Sequence, residues 1–99
     1  MYLVRDIMYC KPGKARPMAQ KFLTLAKLSE KMGMGTMRIM TDVSAERYWT
    51  VVAETEVASM EQHAEMARKA MQMPEFQEIM KDYHDLVVEG RREIYTIEK

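Results

Sequence analysis

Two segments, Tyr2 to Cys10 and Arg47 to Thr55, have the residue-by-residue alternation of strands, yet each places large apolar or aromatic side chains on both faces. In the first, Tyr2, Val4, Asp6, Met8 and Cys10 alternate with Leu3, Arg5, Ile7 and Tyr9; in the second, Trp49, Val51 and Ala53 alternate with Tyr48, Thr50 and Val52. Neither has a clean solvent side, so a sheet built from them needs cover above and below. A chain of 99 residues can build one core and cover one sheet face with its own helices. The second face predicts a partner, and the simplest is a second copy: a homodimer.

The rest of the chain supplies the helices. Lys11-Pro12-Gly13-Lys14 turns the chain after the first strand. Met18, Phe22, Leu25, Ala26, Ser29 and Met32 then recur at three- and four-residue steps, predicting a helix from about Lys14 to Lys31, with Gly33 and Gly35 as terminators. Thr36 to Val43 alternates as a strand, and Ser44, Ala45 and Glu46 link it to Arg47 to Thr55 as an antiparallel hairpin. Ser59-Met60-Glu61-Gln62 has the form of a capping box. The helix it opens runs through His63, Ala67, Ala70 and Met71 to a break at Pro74, then resumes through Phe76, Ile79, Met80, Tyr83 and Val87. Gly90 is read as its end and Arg91 to Ile97 as the last strand. The order is βαββαβ, an α+β ferredoxin-like domain spanning residues 1–99, with four antiparallel strands and both helices on one face.

Composition narrows the function classes. Fifteen basic and 15 acidic side chains give no net charge, which argues against nucleic acid and anionic lipid as partners. With no basic leader ahead of an apolar stretch and no run long enough to span a bilayer, the chain reads as cytoplasmic, without a membrane partner. Cys10 is the lone cysteine; it forms no internal disulfide and reads as a small packing residue. The chain is rich in methionine, 12 in all, mostly at helix-stripe and strand positions where a flexible thioether fills irregular gaps or lines an adaptable pocket. A Cu(I) site would instead want three or four clustered sulfurs, and His63 and His84 lack a third ligand of matching spacing, so no metal is expected.

The first strand running into Tyr9-Cys10-Lys11-Pro12-Gly13-Lys14-Ala15, the helix after it, and the closing Glu89-Gly90-Arg91-Arg92-Glu93-Ile94-Tyr95 resemble the NIPSNAP-like group of the dimeric α+β barrel superfamily. The resemblance implies two subunits whose sheets pack face to face into a closed barrel. It also implies kinship with antibiotic-biosynthesis-type monooxygenases, which need no bound cofactor, and with haem-degrading enzymes. In the haem-degrading type a first-strand asparagine, a second-helix tryptophan and a later histidine serve the reaction. The asparagine position falls on Asp6; the tryptophan has no counterpart, since Trp49 lies in a strand segment, and the histidine position falls near Met80 rather than His84. Haem cleavage by that scheme is therefore not carried over.

Several residues are candidates for chemistry. Asp6 lies in the middle of an apolar strand, where a carboxylate is costly unless paired. It is either a base or anchor at a pocket floor, or the partner of Arg38 or another strand arginine. His63, on the same helical face as Ala67 and Ala70, points toward the sheet and can move protons near neutral pH. Asp6 and His63 are the candidate catalytic pair. Arg38, Tyr48, Trp49 and His84 are candidate substrate-binding residues: Arg38 for a carboxylate, His84 at the border of the buried stripe, and one of Tyr48 and Trp49 entering the cleft while the other meets the partner. Two functions follow. One is a small enzyme acting, without a cofactor, on an aromatic or apolar molecule between helices and sheet; the other is a non-catalytic dimeric binding or interaction module.

Overall fold

A computed structural model describes residues 1–98. Its elements are strand β1 (Tyr2–Cys10), helix α1 (Ala15–Lys31), strands β2 (Met37–Thr41) and β3 (Thr50–Val57), helices α2 (Met60–Met71), α3 (Pro74–Met80) and α4 (Tyr83–Leu86), and strand β4 (Val87–Thr96). The strands form one antiparallel sheet in the order β2-β3-β1-β4, the ferredoxin-like arrangement expected from the sequence.

Local chemistry accounts for the boundaries. Gly13 takes φ 77°, which its missing Cβ permits, and the Lys14 N–H closes the turn onto the Lys11 carbonyl at 2.9 Å. Helix α1 ends where Gly33 enters the left-handed region at φ 73°, with its N–H on the Glu30 carbonyl and the Met34 N–H on that of Ser29. The capping box forms with a one-residue offset: the Gln62 N–H donates to Ser59 Oγ, while Gln62 Oε1 accepts from the Ala58 N–H, each at 3.1 Å. Pro74 starts α3 rather than continuing α2, because its ring is compatible only with a first turn.

Several boundaries differ from the sequence expectation: β2 spans Met37–Thr41 rather than Thr36 to Val43 and β3 ends at Val57 rather than Thr55, and two differences have a local cause. β3 begins at Thr50, not Arg47, because Trp49 has φ 63° and interrupts the alternation. β4 begins at Val87 and runs through Gly90, which is an ordinary strand residue; the β1–β4 ladder gains its irregularity at Tyr9/Cys10 instead.

The core lies between α1 and the sheet. Met18, Phe22 and Leu25 pack onto Met8, Cys10, Val51 and Ala53, with Ala15 and Ala19 allowing close approach. Cys10 is buried, and burial followed by the nearby Asp42 charge raises its thiol pKa, so it packs as a small apolar residue. Lys21 Nζ donates to the Ile79 carbonyl, fixing α3 to α1. None of the residues of α2, α3 or α4 is fully buried. A cavity lies between α2 and the sheet.

The opposite sheet face has no helix over it, and the molecule measures 36 × 35 × 19 Å. Its apolar members, including Leu3, Ile7, Tyr9, Met40 and Val52, are interleaved with an ion network rather than forming an unbroken apolar wall. Glu54, 6 % exposed, accepts from Arg5 at 2.7 Å and Arg38 at 2.6 Å, and Arg5 and Arg91 both reach Glu93. Among the described residues, no helix is long and apolar enough to cross a membrane.

Candidate functional site

The cleft between α1, α2, α3 and the sheet has a volume of about 530 Å³, within the range of small-molecule sites. Its walls are apolar and soft. Phe22 and Leu25 come from α1, Met66, Ala67 and Ala70 from α2, and Phe76 and Met80 from α3. Helical spacing puts each set on one side of its element, so the same stripes that bury α1 against the sheet line the cleft farther along.

One end is polar. Asp6, central in β1, stands directly opposite Arg92 in β4, and Arg92 donates from Nε to Asp6 Oδ1 at 2.7 Å and from Nη2 to Oδ2 at 3.4 Å. The carboxylate is thus an ion-pair partner, and the arginine is Arg92 rather than Arg38. Such pairing offsets the cost of a carboxylate inside an apolar strand. His63 faces this pair from α2. Its Nε2 is buried and has no hydrogen-bond partner among the described residues. Burial first, and then the Arg92 charge, lower its pKa below 6.5, with Asp6 acting weakly in the opposite direction, so the ring is neutral at pH 7. Tyr83 reaches the same region from α4: burial and Asp6 raise its pKa above 10.0, and its hydroxyl is held near Gly90, where an added Cβ would lie 3.4 Å away.

The structure therefore brings Asp6 and His63 to one cleft and places the other sequence candidates outside it. Arg38 lies on the helix-free sheet face, paired with Glu54. Tyr48 and Trp49 are not strand residues on opposite faces; both lie in the β2–β3 connection, 86 % and 43 % exposed, beside Ala19 and Leu23 of α1. The Trp49 carbonyl accepts the Cys10 N–H at 2.9 Å, which fixes the turn that breaks the alternation. His84 is exposed on α4 and meets only the edge of the Tyr83 ring, with centroids 5.4 Å apart. Arg92 and Tyr83 were not among the candidates. Arg92 was legible as the strand residue sharing a face with Ile94 and Thr96, but its register against Asp6 required the sheet pairing.

Among the described residues, no group of three or more histidine, cysteine, aspartate or glutamate side chains is placed to hold a metal ion. The polar end instead offers donors and one basic nitrogen, which suits binding an oxygen-bearing group or moving a proton.

No family model matches the chain, and no curated protein matches its sequence. Solved structures do match. A NIPSNAP-like domain protein from Burkholderia xenovorans superposes with a TM-score of 0.83 at 20% identity, covering 98% of this chain and 84% of its own. A NIPSNAP family protein from Agrobacterium tumefaciens gives 0.82 at 14% identity, covering 96% and 90%. A candidate antibiotic biosynthesis monooxygenase from Deinococcus radiodurans gives 0.70 at 9% identity, covering 100% and 94%. At these identities the likeness establishes the fold of the single chain, the ferredoxin-like one that the sequence resemblance implied.

Proposed function

We propose that the protein binds a small, mainly apolar molecule in the cleft beneath α2 and acts on it with His63 as proton acceptor. The observation that carries this is the buried, unpartnered Nε2 of a neutral histidine at the polar end of an otherwise apolar cavity. Leaving a buried nitrogen unpaired has a cost, and a ligand hydrogen bond would remove it. Asp6 is a positioning residue in this scheme: it holds Arg92, and Arg92 and Tyr83 supply donors to the ligand. The monooxygenase-like neighbour supports an oxidative form, in which an electron-rich substrate reduces O2 directly and no resident cofactor is needed.

The specific engagement of Asp6 by Arg92 favours a second reading, a binding module without catalysis. The two separate experimentally. A thermal-shift screen of small aromatic molecules should raise the Tm of the wild type, and Ala67→Phe, which fills the cleft, should abolish the shift. Any turnover found should fall about 100-fold in His63→Ala. Ligand binding with no turnover would leave the module reading standing, and turnover unchanged in that variant would remove His63 as the proton acceptor.

We also propose that the working form is a homodimer joined through the helix-free sheet face, in keeping with the apolar residues that remain there between its ion pairs.

A further inference from the structure

The donors at the polar end of the cleft outnumber its free acceptors. Arg92 commits Nε and Nη2 to Asp6, while its Nη1 engages no partner among the described residues. The Tyr83 hydroxyl lies at the same cavity, next to Gly90. Asp6, the one carboxylate lining the cleft, is already occupied by Arg92. Arg91 also borders the cavity, but its guanidinium is turned to Glu93 on the other sheet face. A guanidinium edge, a phenolic hydroxyl and an imidazole nitrogen around one apolar cavity match a group that accepts several hydrogen bonds.

We propose that the cleft takes an apolar molecule bearing a single carboxylate, with the carboxylate held by Arg92 and Tyr83, and that His63 takes up a proton from solvent as the acid binds. This rests on the cleft being a ligand site, as proposed above, and deepens its binding-module reading: toward a carboxylate ligand His63 accepts its proton from solvent and does not act as a base on the bound molecule. The proton balance is simple. The free site holds Arg92 positive, Asp6 negative and His63 neutral; an incoming carboxylate adds one negative charge, and protonation of His63 restores neutrality while turning its orphan Nε2 into a donor. No covalent bond forms or breaks. The groups facing His63 that carry charge or titrate are Asp6 from β1, Arg92 from β4 and Tyr83 from α4. The faces presented by α1, α3, β2 and β3, through Leu25, Phe76, Met37 and Thr55, are uncharged. The lowered pKa of the free histidine leaves room for such uptake near neutral pH.

The test compares 2-naphthoate and decanoate with their primary amides, which preserve shape and remove charge, by calorimetry on the full-length protein in buffers of different ionisation enthalpy. Neutral Nile red serves as an independent probe of the cavity. The acids should bind about 10- to 100-fold more tightly than the amides. Between the free and the complexed pKa of His63, uptake should approach about one proton per ligand and acid affinity should fall roughly tenfold per pH unit, levelling off above the complexed value. His63→Ala should abolish the uptake and keep part of the acid preference. Arg92→Gln should lose that preference, and Arg92→Lys, which keeps a cation opposite Asp6, should retain some of it. Amides binding as well as acids, or acids binding with no proton uptake, would overturn the carboxylate inference while Nile red binding keeps the cleft reading. Failure of Nile red, acids and amides alike would overturn both.

Discussion

His63 sits on a helix without a fully buried residue, yet burial of its Nε2 without a hydrogen bond makes its charged form unfavourable in the folded protein. The unfolded chain therefore binds the proton more readily. Its stabilising contribution is fully present above the ordinary value of 6.5 and is lost as pH falls through the lowered folded value. Urea unfolding across this window should show stability rising with pH, and His63→Phe should flatten the rise; an unchanged slope would remove the histidine from the account. Asp6 and His63 were legible because a carboxylate in an apolar strand and a histidine among small helical residues are each anomalous in their pattern. Tyr48 and Trp49 were misplaced because alternation was read through a position with a left-handed backbone, which no periodicity reveals. Arg92 was missed because its significance lies in a cross-strand register, not in neighbouring residues.

At the scale of elements, α1 and α2 have similar apolar stripes but different jobs. Met18 on α1 is 0 % exposed, and Met18→Ala should cost about 3 kcal/mol in chemical denaturation. Ser59→Ala should cost about 1 kcal/mol, since it removes the acceptor for the Gln62 N–H at the start of α2. A much smaller loss would mean that α2 is held by its contacts rather than its cap. Periodicity located both helices well, because their apolar spacing and stop signals agree. It could not tell that α1 is packed down and α2 is not, since that depends on how the Pro74 break and the α3 contacts set the height of α2 above the sheet. Gly90 was misread as a terminator for a related reason: a glycine ends a helix only if the helix reaches it, and α4 has already ended at Leu86.

The whole molecule is a two-layer slab with helices on one side, and the face they leave bare is the one through which the proposed dimer would join. The doubly apolar strands announced this face in the sequence, but not its ion network, whose pairs join residues far apart in the chain such as Arg5 and Glu54. Arg5, Arg38 and Arg91 there are matched by Glu54, Glu56 and Glu93, so two copies can meet without net like-charge repulsion. Glu54 has its pKa lowered, chiefly by the Arg38 hydrogen bond, and its stabilising effect is present above 4.5 and lost as pH falls through the folded value. Sedimentation at neutral pH should give a dimer that loosens on acidification below that point, because protonated Glu54 leaves uncompensated arginines facing their copies. Val52 lies beside this network, partly buried and opposite Ile7 in the ladder. Val52→Glu would place an extra carboxylate from each copy at the joint, and should yield a folded monomer with an unchanged circular dichroism spectrum. A dimer undisturbed by both acid and Val52→Glu would show that the copies meet through another surface, and a wild-type monomer at high concentration would show that the ion network alone suffices to keep this face in water.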